Sequence, residues 1–182
     1  MKVKFLTALV VVVGLFGVVA VANAQKSGEV FLNIKLSPIQ TLVVNPEQTT
    51  VDLNYTTKND YANGVSVDQA NHLTIYSTGG FEVKVKAAGN DLTGKVNSIK
   101  ASDVTLTASN GTQALSDNAT FGSAQLSTTD KVIVSSTKGG VDRTINVNYA
   151  AKGDNNEYLD YYQNNENPTV FSTTLTYTIV AQ

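Results

Sequence analysis

The stretch VFSTTLTYTIVA, residues 170–181, alternates from end to end: Phe171, Thr173, Leu175, Tyr177 and Ile179 fall on one side. Ser172, Thr174, Thr176, Thr178 and Val180 fall on the other. Successive side chains of a β-strand point to opposite faces, whereas a helix repeats every 3.6 residues, so this run predicts a long strand closing the chain. The same period returns upstream. Val30, Leu32, Ile34 and Leu36 alternate with Phe31, Asn33 and Lys35 until Ser37-Pro38 interrupts the run, because proline cannot donate to a ladder. Val51, Leu53 and Tyr55 mark another strand, and Val104 to Thr107 a short one closed by Asn110-Gly111.

Two segments share one device. Leu73 to Tyr76 leads through Gly79-Gly80 into Phe81, Val83 and Val85, which alternate with Glu82, Lys84 and Lys86. Lys131 to Ser135 leads through Gly139-Gly140 into Ile145, Val147 and Tyr149. Paired glycines between alternating runs predict tight β-hairpins with positive φ at the turn. Lys58 to Gly64 reads as a polar loop. About 7–9 strands at this spacing, with almost no helical periodicity, predict an all-β, immunoglobulin-like antiparallel Greek-key sandwich.

The start of the chain sets the compartment. Lys2 and Lys4 precede an uncharged apolar run from Phe5 to Val21, and Ala22-Asn23-Ala24 supplies small residues where a signal peptidase reads them. The run is slightly shorter than the roughly 20 residues that span a bilayer. Residues 1–24 are therefore expected to be a signal peptide, leaving residues 25–182 as one domain whose first part, 25–36, is an N-terminal strand. The expected location is periplasm, cell surface or medium, with no integral membrane segment after cleavage. Cysteine is absent, so disulfides, thiol nucleophiles and a lipid-anchoring cysteine are excluded. Fifteen acidic residues against 13 basic ones argue against nucleic acid as a partner.

Catalytic equipment is sparse. His72 and Arg143 are the single histidine and the single arginine, and no nucleophile elbow, zinc-binding helix, P-loop or dinucleotide fingerprint is present. His72 precedes the apparently inward Leu73 and Ile75 and is expected to point outward. An exported hydrolase is accordingly a distant third reading, since two acids converging in space leave no spacing signature.

The segment from Lys152 to Pro168 breaks the strand pattern and reads as a long loop with a helical turn near Glu157–Gln163. Asp154, Glu157 and Asp160 are hard oxygen donors of the type calcium takes, but they lack the alternate acids and central glycine of an EF-hand. No cofactor is expected, calcium being the one ion the donor types would suit. Tyr158, Tyr161 and Tyr162 would either stack on a glycan, with Asp154, Glu157 and Asp160 holding hydroxyls, or plug one end of the sandwich.

The order of leader, alternating N-terminal strand, small sandwich and long alternating C-terminal strand resembles that of pilin-like and fibre-forming surface proteins. In the chaperone–usher pilins an N-terminal extension completes a neighbour's sandwich. The resemblance implies that part for Val30, Leu32, Ile34 and Leu36, and self-association or envelope proteins as partners. The chain departs from those pilins in having no disulfide and no penultimate tyrosine, Tyr177 being the nearest. Two functions follow as expectations: a non-enzymatic structural or adhesive subunit joined by strand addition, or a monomeric module binding glycan or protein through the 152–168 loop. Intact-mass analysis of the exported protein should place its first residue at Gln25; retention of residues 1–24 would remove the leader reading.

Overall fold

The computed structural model describes residues 27–153 and 158–182. The expected leader and its cleavage site lie outside them. The chain divides into two compact units, Met1–Lys35 and Leu36–Gln182. In the first, the described residues have no regular secondary structure.

The second unit is all-β, and every strand pairing in it is antiparallel. In chain order it contains β1 (Gln40–Val44), α1 (Lys58–Asn63), β2 (Val65–Ser77), β3 (Phe81–Ala87), β4 (Asp91–Thr93) and β5 (Ser98–Lys100). β6 (Val104–Asn110), β7 (Ala119–Phe121), β8 (Ser123–Gln125), β9 (Lys131–Ser136), β10 (Gly140–Ala151) and β11 (Leu175–Ala181) follow. One sheet has the order β1-β2-β10-β6-β8 and another β11-β3-β9-β7, while β4 and β5 form a small separate ribbon.

The two large sheets share one core, giving a sandwich-like body. Leu73, Ile75, Leu106, Ile145 and Val147 come from the five-stranded sheet. Phe81, Val83, Val85, Ile133 and Val134 come from the four-stranded one. None of these ten is more than 1% exposed. Burying each large aliphatic side chain contributes roughly 1.5–3 kcal/mol, which makes this layer the main source of stability. The alternation read along β3 holds: Phe81, Val83 and Val85 face inward, and Glu82, Lys84 and Lys86 face out.

The Gly-Gly segments are not hairpins. β2 and β3 lie in different sheets, as do β9 and β10, so each segment is a corner that carries the chain across the sandwich. The start of β10 returns beside the end of β2 through Gly140 and Ser77, and β3 starts beside the end of β9 through Phe81 and Ser136. A buried serine organises each corner. Ser77 Oγ donates to the Gly79 carbonyl at 2.7 Å and Ser136 Oγ to the Lys138 carbonyl at 2.8 Å, the local bond by which serine stabilises a turn. Among the described glycines only Gly64 has positive φ, so the expected left-handed turn is absent at the four corner glycines, and what Gly139 supplies instead is space. A Cβ on Gly139 would run into the Ser77 carbonyl oxygen, whereas one on Gly79 would meet nothing within 4 Å.

Other expectations shift locally. The polar loop Lys58–Gly64 contains α1, closed by a capping box: Thr57 Oγ1 accepts from the Asp60 amide, and Asp60 Oδ2 accepts from the Thr57 amide at 2.7 Å. Val51 and Leu53 pack on the core from extended chain outside the sheets. The closing strand begins at Leu175 instead of Val170, and of the residues before it Ser172 makes an isolated bridge to Thr93. Gly139→Ala should lower stability by about 1–3 kcal/mol by overpacking. Gly79→Ala should change it by no more than about 0.5 kcal/mol, the usual range for surface changes. Paired thermal melts measure the contrast; equal effects would mean that the two glycines do not differ in the room they need.

Candidate functional site

The N-terminal segment supplies the largest departure from ordinary surface chemistry. Val30, Leu32, Ile34 and Leu36 are 91, 87, 82 and 90% exposed, and Phe31 is 90% exposed. The period-two pattern predicted a strand here; the segment has no β pairing. Ladder bonding starts beyond Pro38, where the Ile39 amide donates to Thr78 Oγ1 at 2.9 Å and the Ile39 carbonyl accepts from the Thr78 amide at 3.0 Å. Single exposed apolar residues are common on soluble proteins, but five within seven consecutive positions form the kind of patch that marks an interaction site.

The tyrosine loop is occupied with its own end of the sandwich. Tyr158 is buried, and its hydroxyl donates to Asp103 Oδ2 at 3.1 Å. Lys152 Nζ reaches the other carboxylate oxygen, Oδ1, at 3.0 Å. Tyr55 donates to the Lys152 carbonyl, and burial first, then the charge of Asp103, pushes its phenol up to about 12. Rings run in series from Tyr61 through Tyr55, Tyr158 and Tyr161 to Phe171, with neighbouring centroids 5.3–5.9 Å apart. Tilted and edge-on contacts at this spacing are favourable aromatic packing. Tyr158 and Tyr161 are therefore plug residues of the end, while Asp160 and Tyr162 are exposed. Asp154 and Glu157 lie outside the described residues. An open polar cleft of about 410 Å³ adjoins this end, lined by Asn63, Asp103, Thr105, Gln125 and Lys152 among others. No group of three or more His, Asp or Glu side chains converges as a metal cage among the described residues.

His72 corrects the expectation of an outward side chain. It is 2% exposed and joins a polar chain that crosses the core. Its Nδ1 lies 3.0 Å from Gln48 Oε1 and its Nε2 lies 2.7 Å from the Tyr149 hydroxyl, which is 2.5 Å from the Tyr177 hydroxyl. With Gln48 presenting its oxygen, Nδ1 carries the proton, Nε2 accepts from Tyr149, and Tyr149 accepts from Tyr177. Strand periodicity could not reveal this: Asn71 has φ +50°, and β10 pairs with β2 out of step between Ile145 and Val147, so the regular alternation fails near His72. Burial lowers the His72 pKa and raises those of Tyr149 and Tyr177, leaving the whole chain neutral.

No protein-family model and no curated protein matches the chain.

The lowered His72 pKa has a definite sign in stability. The unfolded chain takes up a proton near the ordinary value of 6.5, before the folded one does. The stabilisation is therefore complete above pH 6.5 and is lost as pH falls through the depressed folded pKa. The stability gap between wild type and His72→Gln should narrow with acidification over that window, as followed by denaturant melts at stepped pH. A constant gap would mean that His72 does not titrate differently in the folded state.

Proposed function

We propose that this chain is an exported structural or adhesive surface subunit, fimbria-like in its assembly, that associates by β-strand addition and carries out no catalysis. The observation that carries this reading is the exposure of Val30, Leu32, Ile34 and Leu36, in a chain whose second unit is built of open sheets. Added strands bind through backbone ladders and gain register from pockets that take alternate side chains, which is the chemistry this segment offers.

Magnitudes favour a bound state only if both contributions operate. Each buried apolar side chain gains roughly 1.5–3 kcal/mol. Fixing each backbone residue costs about 1–2 kcal/mol. The ladder, at about 0.5–1.5 kcal/mol per net hydrogen bond, then decides the balance. Supporting the non-catalytic part of the proposal, His72 is enclosed among Gln48, Tyr149 and Tyr177 with no carboxylate in its hydrogen-bond chain. We also read the body as an immunoglobulin-like Greek key, because chain-adjacent strands change sheets at two corners while sheet neighbours such as β2 and β10 are distant in sequence.

The polar cleft favours a second reading, a monomeric module holding a hydroxyl-rich ligand such as a glycan. Its amide, hydroxyl and charged lining matches sugar hydroxyls better than the buried tyrosines do.

Light scattering and negative-stain imaging of mature protein separate the two. Strand addition predicts oligomers that Leu32→Asn with Ile34→Asn abolishes, while the melting temperature of the body stays unchanged. Wild-type protein that remains monomeric at high concentration would move the assignment to the binding module.

A further inference from the structure

A second open cleft, of about 280 Å³, adjoins the polar cleft at the tyrosine end. Asn90, Asp91, Lys100 and Ser127 are among its lining residues, and Ser102 lines both clefts. One extended piece of chain also walls the two: Gln125 borders the larger cleft and Ser127, two positions on, the smaller. This chain stays beside β6 past the end of β8, because the Leu126 amide donates to the Val104 carbonyl at 2.9 Å. Side chains of extended chain alternate, so Gln125 and Ser127 share one side while Leu126 is buried.

The walls are polar and their charges balance. Thr105 and Gln125 are cross-strand partners, and among the described residues the side chains of Ser102, Thr105 and Gln125 make no hydrogen bond. Asn63 spends its amide nitrogen on Asn59 Oδ1 at 2.7 Å, which keeps its own Oδ1 as an acceptor. Lys152 is paired with Asp103 at 3.0 Å, and Asp91 and Lys100 are register partners across the β4–β5 ribbon. Two lysines against two aspartates give no net pull on a charged ligand. No aromatic ring lines either cleft, so a ligand is held here by hydrogen bonds and not by stacking. The next cross-strand pair along β6 and β8, Thr107 and Ser123, continues the same chemistry with hydroxyls 2.5 Å apart. The outer face of β3 in the other sheet contrasts with it, carrying Glu82, Lys84 and Lys86.

We infer that the two clefts form one groove that takes a linear, neutral polysaccharide, its successive sugar units lying from Asn63 past Ser102 to Ser127. Each sugar unit presents hydroxyls that donate and accept, and serine, threonine, asparagine and glutamine side chains answer both roles. The assignment rests on the glycan-binding reading of the larger cleft and adds the length and the neutrality of the ligand.

Chemical-shift titration of the mature protein tests it, with neutral linear glucan, mannan, galactan and xylan oligomers of two to six units and a uronic-acid oligomer for comparison. The longer chain of one neutral series should shift the amides of Asn63, Gln125 and Ser127 together. One or two further net hydrogen bonds should make it bind about tenfold tighter than its disaccharide. Lys100→Ala with Ser127→Ala should remove that gain and leave disaccharide binding unchanged, which also shows that the variant is folded. Thr105→Ala with Gln125→Ala should weaken every length, and Lys84→Ala on the other sheet none. Equal affinity for two and six units, with shifts confined to Asn63 and Gln125, would overturn the continuous groove and leave the glycan reading standing. Tighter binding of the uronic-acid oligomer would overturn neutrality. No shift with any sugar would overturn the groove and the glycan reading together.

Discussion

The chain crosses from one sheet to the other at Ser77–Phe81 and again at Ser136–Gly140, and the packing of the body depends on these two corners lying against each other. Gly139 is pressed on the Ser77 carbonyl, which leaves no room for a side chain. That contact sets Gly140 opposite Ser77, while Phe81 stands opposite Ser136. From this register, Leu73 and Ile75 on one sheet and Phe81, Val83 and Val85 on the other enter the same core layer. A slip of one residue would turn each of these sets toward solvent, since the strand period is two.

Apolar surface is distributed unevenly around this core. The centre of the four-stranded sheet is sealed, with Val83 and Val134 at 0% exposure, while its β11 edge is half-covered. Among the described residues, the most exposed large apolar side chains stand at residues 30–36. A folded monomer gains nothing by leaving five such side chains in water, so their exposure is the strongest chemical argument that another surface receives them. The same residue types are buried in β3 and exposed in the N-terminal segment; what separates the two is pairing.

Within the core, one polar chain is tolerated because it is fully satisfied. Gln48, His72, Tyr149 and Tyr177 link the segment after β1 to β2, β10 and β11, and so tie the two sheets by directional bonds as well as by packing. With no carboxylate in that chain, the imidazole is stable only when neutral, since a buried unpaired charge is far costlier than a hydrogen-bonded polar group. The tyrosine end follows a different rule. There Asp103 is charge-paired with Lys152 and hydrogen-bonded by Tyr158, and the rings of Tyr55 and Tyr161 pack against the Tyr158 ring.

Strand character was legible where side chains alternated within the sheets, because the period of two is a local property of the backbone: β3 and β11 follow from it, whereas residues 30–36 alternate without pairing. The shortness of β7, β8 and α1 hid them, as three to six residues hold too little period to read, and the capping pair Thr57 and Asp60 was the one local signal for α1. Which strands pair was not legible. Gly79-Gly80 and Gly139-Gly140 look like hairpin turns in sequence, and only the core, by drawing apolar faces from both sheets together, makes them corners. Likewise, the apolar pattern from Val30 to Leu36 was written in the sequence, whereas its exposure shows only in the tertiary structure. His72 could not be placed from its neighbours, because its burial comes from Gln48, Tyr149 and Tyr177, residues up to 105 positions away. Sequence by itself determined the residue chemistry and the period; the tertiary structure decided the partners, since pairing and burial are set by contacts between segments distant along the chain.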